Sequence, residues 1–204
     1  THTGPLPNAV SAFPAHRWRR SFLRTSRDLV DADCDFESSV CSYRGGRTFV
    51  AARPISVDPS VFEELAGSES VLRLESELAS RRPEFLILRV DRTDPSKNVV
   101  RGFRAFELYL ETHPEMHGRV GMLALLDPSR QDIPEYAEYL GAIQRAARVV
   151  NDRFQQEGWA PVDLRIEDNF PLSVAPYNQY DVLLVNAIYD GLNLVAKEAP
   201  LVNE

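Results

Sequence analysis

At 204 residues, with 44% apolar and 26% charged side chains, the chain is long enough and apolar enough to bury a core, which excludes an intrinsically disordered protein. A net charge of −7 leaves no cationic surface of the kind that duplex DNA or an anionic membrane demands, although a local basic pocket for a phosphorylated ligand stays open. No apolar run reaches transmembrane length and no basic-then-apolar leader opens the sequence, so a cytoplasmic protein is expected.

Asn8 to Phe13 reads as a short buried strand, punctuated by Pro14. Trp18, Phe22, Leu23 and Val30 then recur at helical spacing, which predicts a helix over about 15–30, with Arg17, Arg19, Arg20 and Arg24 on its solvated face. Cys34 and Cys41 fit no zinc or redox spacing. Two free thiols in a reducing cytosol are expected, with a disulfide as the alternative. From Ser39 to Val57 the pattern is strand-like: Val40 to Tyr43, then Arg47 to Val50, then Ile55 to Val57, with Gly45-Gly46 as a hairpin signal between the first two. Asp58-Pro59-Ser60 opens a helix through Phe62, Leu65 and, past Gly67, Val71, Leu72 and Leu74.

From Glu84 strands alternate with helices. The strands are Phe85–Val90, Gly118–Leu126, Val162–Ile166 and Asp181–Val185. The helices are Val99–Glu111, Pro134–Phe154, a short one over 171–179, and another opening at Leu192–Glu198. That alternation predicts an α/β fold: a Rossmann-like, doubly wound parallel sheet with helices on both faces. Right-handed crossovers then gather every strand's C-terminal loop on one edge, where such folds bind ligands.

Three of those loops carry chemistry. The first, Asp91 to Asn98, sets Arg92 and Lys97 five residues apart just before a helix N-terminus, where the dipole and free N–H groups favour an anion. The second, Asp127 to Asp132, offers Arg130 at a strand end. The third runs from Asn186 to Leu194, with Asp190-Gly191 as a tight turn and Glu198 two helical turns further on. Carboxylates there suit the hydroxyls of a ribose or hexose; otherwise Asp190 caps the helix and Glu198 is solvated. No GxGxxG or Walker motif is present, which excludes dinucleotide and P-loop sites. Asp31-Ala-Asp33 lies in the wrong part of the chain for a metal-binding DxD. Pro114 disfavours a helix presenting both His113 and His117, so no metal site is expected.

The segments 90–97 (VDRTDPSK) and 190–198 (DGLNLVAKE) resemble the two signatures of trehalose-6-phosphate synthases, glycosyltransferase family 20. In order between them, Phe103 to Phe106, His113 to Glu115, Pro128 to Arg130, Pro134 to Tyr136, Val150 to Phe154 and Gly158-Trp159 are similar to the family pattern. The resemblance runs from about Leu6 to the end and is strongest over 85–198. It implies the nucleotide-sugar-binding half of a GT-B fold over 83–204, C-terminally incomplete, after a remnant of the N-terminal domain over 1–82 with its hairpin and connecting helix. It implies a retaining transferase that moves glucose from UDP- or GDP-glucose to glucose 6-phosphate, without a metal, giving α,α-trehalose 6-phosphate. Arg92 and Lys97 would hold the donor diphosphate and act catalytically. Asp190 would bind donor-sugar hydroxyls, with the backbone of Gly191, Leu192, Asn193 and Leu194 along the diphosphate. Glu198 would take the ribose, Asn169 and Phe170 the base, and Arg130 the acceptor's phosphate. The expected partners are thus a nucleotide sugar and a sugar phosphate; homo-oligomerisation or a separate N-terminal half stays open.

Two departures stand out. The Gly-rich donor loop and most acceptor contacts that the family keeps near its start have no counterpart here. Asn98 replaces the usual Gly, and Ala199 to Asn203 replaces the usual segment after Glu198. Both features resemble the validoxylamine 7′-phosphate synthase branch, which couples a GDP-cyclitol to an aminocyclitol phosphate, while DGLNLVAKE with Lys197 resembles the true synthases. A non-catalytic nucleotide-binding half is the third reading.

Overall fold

The computed structural model describes residues 4–6, 8–168 and 173–203. The chain divides into two compact units, 1–56 and 57–204. The sequence reading drew its boundary at 82/83 instead.

In the first unit β1 (Val10–Phe13) leads into α1 (His16–Val30), followed by β2 (Asp33–Asp35), β3 (Val40–Tyr43) and β4 (Gly46–Ala52). The strand order is β1-β4-β3-β2, with β1 parallel to β4 and the other pairs antiparallel. Helix α1 buries Phe22 and Leu23 in a core with Leu6, Cys41 and Val50, and the Phe22 ring lies 4.9 Å from that of Phe13. The hairpin turns at Arg44 and Gly45, both at positive φ, one residue earlier than the Gly45-Gly46 reading. Two consecutive left-handed residues match the twist of the strands they join. Ile55 to Val57 is not a strand, because β4 and its ladder end at Ala52.

The expectation of free thiols is corrected. Cys34 and Cys41 stand opposite each other in the β2–β3 ladder and form a disulfide. Ladder register, which spacing alone does not reveal, brings their Cβ atoms together. The Cys34→Ser/Cys41→Ser double variant is expected to destabilise the first unit by about 2 kcal/mol through the short closed loop. Denaturant unfolding followed through Trp18 checks this.

The second unit opens with α2 (Pro59–Ala66) and α3 (Glu69–Ala79), read from sequence as one helix. Asp58 caps the first, accepting from the Ser60 N–H at 3.1 Å, with Pro59 at the first helical position. Gly67 ends it and Ser68 caps the second. There follow β5 (Phe85–Arg92), α4 (Val99–Thr112), β6 (Val120–Asp127), α5 (Pro134–Phe154), β7 (Val162–Ile166), β8 (Val182–Leu183) and α6 (Val195–Val202). Of the short helix expected over 171–179, residues 173–174 are helical and run into a 3-10 turn over Ala175–Asn178; residues 171–172 lie outside the described residues. The last strand is shorter than its Asp181–Val185 reading.

The sheet is parallel throughout, in the order β7-β6-β5-β8. Strand alternation divides its core in two. Val120, Met122, Ala124 and Leu126 of β6 pack with Val99, Phe103, Phe106 and Leu110 of α4 and Ile143, Ala147 and Val150 of α5. Leu123 and Leu125, with Leu86 and Leu88 of β5, pack on the other face with Phe62, Val71, Tyr177 and Ala199. Hence the near-continuous apolar runs of β5 and β6. From β5 the chain steps one way through β6 to β7, then returns to place β8 on the far side of β5. At such a reversal doubly wound folds place their ligand crevice, here between the C-terminal ends of β5 and β8. Among the described residues no helix is long and apolar enough to cross a membrane.

Candidate donor site at the strand ends

After β5 the backbone is fixed locally. Asp94 accepts from the Ser96 N–H at 2.8 Å and its hydroxyl at 2.7 Å, shaping the 3-10 turn Pro95–Lys97. Asn98 follows at φ 60°, joining that turn to α4. This left-handed position favours Gly and Asn over other residues. The Asn98 side chain donates to the Asn186 carbonyl at 3.0 Å, and the Ile188 N–H donates to the Ser96 carbonyl at 2.9 Å. The first and third loops are thereby knitted together.

Across that seam Lys97 Nζ lies 2.5 Å from Asp190 Oδ2 and 3.7 Å from Asp91 Oδ1. Asn193 Nδ2 also donates to Asp190 Oδ2, at 3.3 Å. Burial works to raise the Asp190 carboxyl, but the Lys97 hydrogen bond and charge, with Asn193, outweigh it and hold the group below its ordinary value. Burial lifts the Asp91 carboxyl above its ordinary value, opposed by Arg89 and Lys97. Asn193 Oδ1 accepts from the Ala196 N–H at 3.0 Å in the first turn of α6, whose N-cap is Leu194.

Arg92 is exposed at the end of β5, opposite Asp127 in the ladder. Strand alternation turns it to the face that carries Tyr177 and α6, away from Lys97. On that face Glu198 is half-buried, and desolvation raises its carboxyl above the usual range. Burial, then the Glu198 and Asp127 charges, raises the Tyr177 hydroxyl far above its ordinary value. Arg130 is exposed at φ 47°, donating to the Tyr136 hydroxyl at 3.1 Å; that hydroxyl in turn donates to Asp94 Oδ2 at 3.3 Å. Gly191 is exposed, with nothing within 4 Å of an added Cβ, and Leu192 and Leu194 continue the loop. Asn169 and Phe170 lie outside the described residues. The strand ends thus bring Lys97 into direct contact with Asp190, and set Arg92, Glu198 and Arg130 on the same sheet edge without mutual contact. A cleft of about 260 Å³ lined by Leu86, Trp159, Pro161 and Arg165 lies at the opposite edge.

The sequence reading missed the charges beneath this site. Arg89 is fully buried within β5, with Nη2 2.9 Å from Asp91 Oδ2. Thr93, also buried, accepts from the Ser129 N–H at 2.9 Å and ties the first loop to the second. An arginine inside an apolar strand with an acid two residues on, hence on the same face, was the available signal.

The glycosyltransferase family 20 model matches residues 4–204. The chain belongs to glycosyltransferase family 20. Among its relatives, the UDP-forming alpha,alpha-trehalose-phosphate synthase of Schizosaccharomyces pombe is 35% identical over 96% of this chain and 38% of its own length. The validamine 7-phosphate valienyltransferase of Streptomyces hygroscopicus subsp. jinggangensis is 32% identical over 98% of the chain and 39% of its length. Among solved family structures, the Escherichia coli protein bound with UDP-2-fluoro glucose superposes with a TM-score of 0.87 at 25% identity, covering 96% of this chain and 44% of that one. The Burkholderia xenovorans synthase in complex with glucose-6-phosphate gives 0.86 at 28%, with the same coverages. The chain therefore spans about two-fifths of the length of these family members. Its parallel sheet matches the α/β architecture of the GT-B fold.

Proposed function

We propose that this chain is the donor-binding part of a retaining transferase that moves glucose from UDP- or GDP-glucose to glucose 6-phosphate, forming α,α-trehalose 6-phosphate. The observation that carries the reading is the Lys97–Asp190 pair at the β5/β8 switch point, 2.5 Å apart, where a cation for a diphosphate and an acid for sugar hydroxyls stand side by side. The family relatives named as UDP-forming synthases support it.

Breaking the donor's anomeric C–O bond sends its electron pair to the nucleotide diphosphate and leaves an oxocarbenium-like sugar. Lys97, pulled toward the phosphate, and Arg92 stabilise that charge as it develops, so they lower the barrier rather than merely tighten binding. Asp190, released from Lys97, accepts from donor hydroxyls. Glu198, held on α6, takes the ribose hydroxyls; Asn169 and Phe170 meet the base; Arg130 holds the acceptor's phosphate. In the same-face displacement the acceptor hydroxyl oxygen bonds to the anomeric carbon as the diphosphate leaves, and the leaving phosphate oxygen takes the acceptor's proton, which balances the step without a metal.

A second reading, cyclitol coupling from a GDP-linked donor, is favoured by Asn98 and by the valienyltransferase's 32% identity across 98% of the chain. Titrating the chain with UDP and with GDP by calorimetry, then assaying transfer in the full-length protein, separates the readings. UDP-glucose turnover with glucose 6-phosphate is the expected result. Turnover only with a GDP-cyclitol selects the second reading, and nucleotide binding without any turnover marks a non-catalytic half. Absence of binding to either nucleotide removes the donor-site reading.

A further inference from the structure

Among the described residues Arg89 is the largest fully buried side chain, at 0% exposure in the middle of an apolar strand. As a source of stability it is a poor choice, because an apolar side chain of similar volume does as well or better in such a place. Its guanidinium fork is spent on three separate elements. Nη2 pairs with Asp91 of β5 and donates to the Lys97 carbonyl at 2.5 Å; Nη1 donates to Asn186 Oδ1 at 2.7 Å. Among the described residues Nε has no hydrogen-bond partner. So the group satisfies itself incompletely while gripping the backbone root of Lys97 and the segment that reaches Asp190 four residues later. Helix α4 makes room for it. A Cβ added at Gly102 would stand 2.5 Å from Arg89 Nη1. A buried arginine and a glycine in a helix interior are each locally unfavourable. They become consistent only as a pair serving the loops above them.

We propose that Arg89 is a positioning residue of the strand-end site, setting the separation of Lys97 from Asp190 by holding both loops from below. Its consequence for ligand affinity rests on the donor-site reading given above. The chain has only two lysines, Lys97 and Lys197, which makes the test direct. With lysine labelled at ¹³Cε, the spectrum holds two side-chain signals, and Lys97→Arg assigns one by its loss. Arg89→Met and Asn186→Ala are each expected to shift the Lys97 signal, leave that of Lys197 in place, and weaken UDP or GDP binding by on the order of tenfold. A merely space-filling Arg89 would change the unfolding midpoint without moving the signal of the folded protein. Should Arg89→Met fail to fold, Asn186→Ala decides alone, since it leaves the Arg89–Asp91 pair intact. An unmoved Lys97 signal in the folded variants overturns the inference. So does wild-type nucleotide affinity in a variant whose signal has moved. If the unmodified chain binds neither nucleotide, the donor-site reading falls, and the Lys97 signal still settles what Arg89 does.

Discussion

Arg92→Ala and Lys97→Ala are each expected to lower transfer by the full-length protein by about 10²–10³-fold, or about 2.7–4 kcal/mol, the loss typical of one preorganised donor to a developing anion. Their side effects differ because their surroundings differ. Arg92 is exposed at the strand end, so its removal weakens nucleotide diphosphate binding with little change in the fold. Lys97 is paired with Asp190 and lies near buried Asp91, so its removal also strips two carboxylates of a counter-charge. Asp190 has a folded-state pKa below its unfolded one. The stability it contributes is present above the unfolded value, near pH 4, and disappears as pH falls through the folded value. The Lys97→Ala protein lacks that contribution at neutral pH, so its stability curve should approach that of the unmodified protein in acid. Arg92→Ala should show a smaller convergence, because the Arg92 charge is the last-ranked influence lowering the Asp94 and Asp127 carboxyls. Calorimetry with UDP, steady-state kinetics and acid titration of the unfolding midpoint read out all three effects. Unchanged nucleotide affinity in Arg92→Ala would remove that residue from the diphosphate site.

Phe103→Ala carries the largest expected penalty in stability, about 3–5 kcal/mol. The ring is fully buried between α4 and the sheet, in the cluster with Phe106, Met122, Ala124 and Ile143. Leu108 on the same helix is 59% exposed, and Leu108→Ala should stay within about 0.5 kcal/mol. Urea unfolding of the two variants, with unchanged slope, checks the contrast. Because the start of α4 is held separately, by the Tyr139 hydroxyl accepting from the Val99 N–H at 2.9 Å and by Asn98, nucleotide affinity per folded molecule should survive in Phe103→Ala.

Local pattern carried much of this architecture. The runs at 85–92 and 120–127 announce strands buried on both faces, and Phe103, Phe106 and Leu110 announce the buried stripe of α4. Lys97 and Asp190 were legible as a charged pair of strand-end loops because both follow apolar strands in an alternating order. What stayed hidden depends on long-range register. Cys34 and Cys41 meet only once β2 and β3 pair, and Arg89 finds Asn186 only when β8 returns to the side of β5. Ile55 to Val57 has strand composition, yet β4 and its ladder end at Ala52. Glu198 was placed on a helix correctly, yet its burial and the reach of its charge to Tyr177 arise from tertiary packing that no spacing rule gives.

The two strands that flank the crevice are unequally secured. Strand β5 shares an eight-residue ladder with β6, whereas β8 joins it over only Ile87↔Val182 and Leu88↔Leu183. Asp190 therefore rides on the least anchored strand of the sheet and Lys97 on one of the most anchored. A diphosphate sugar bridging them would act as a missing rung, so that ligand capture and the final consolidation of the 182–194 segment become a single equilibrium.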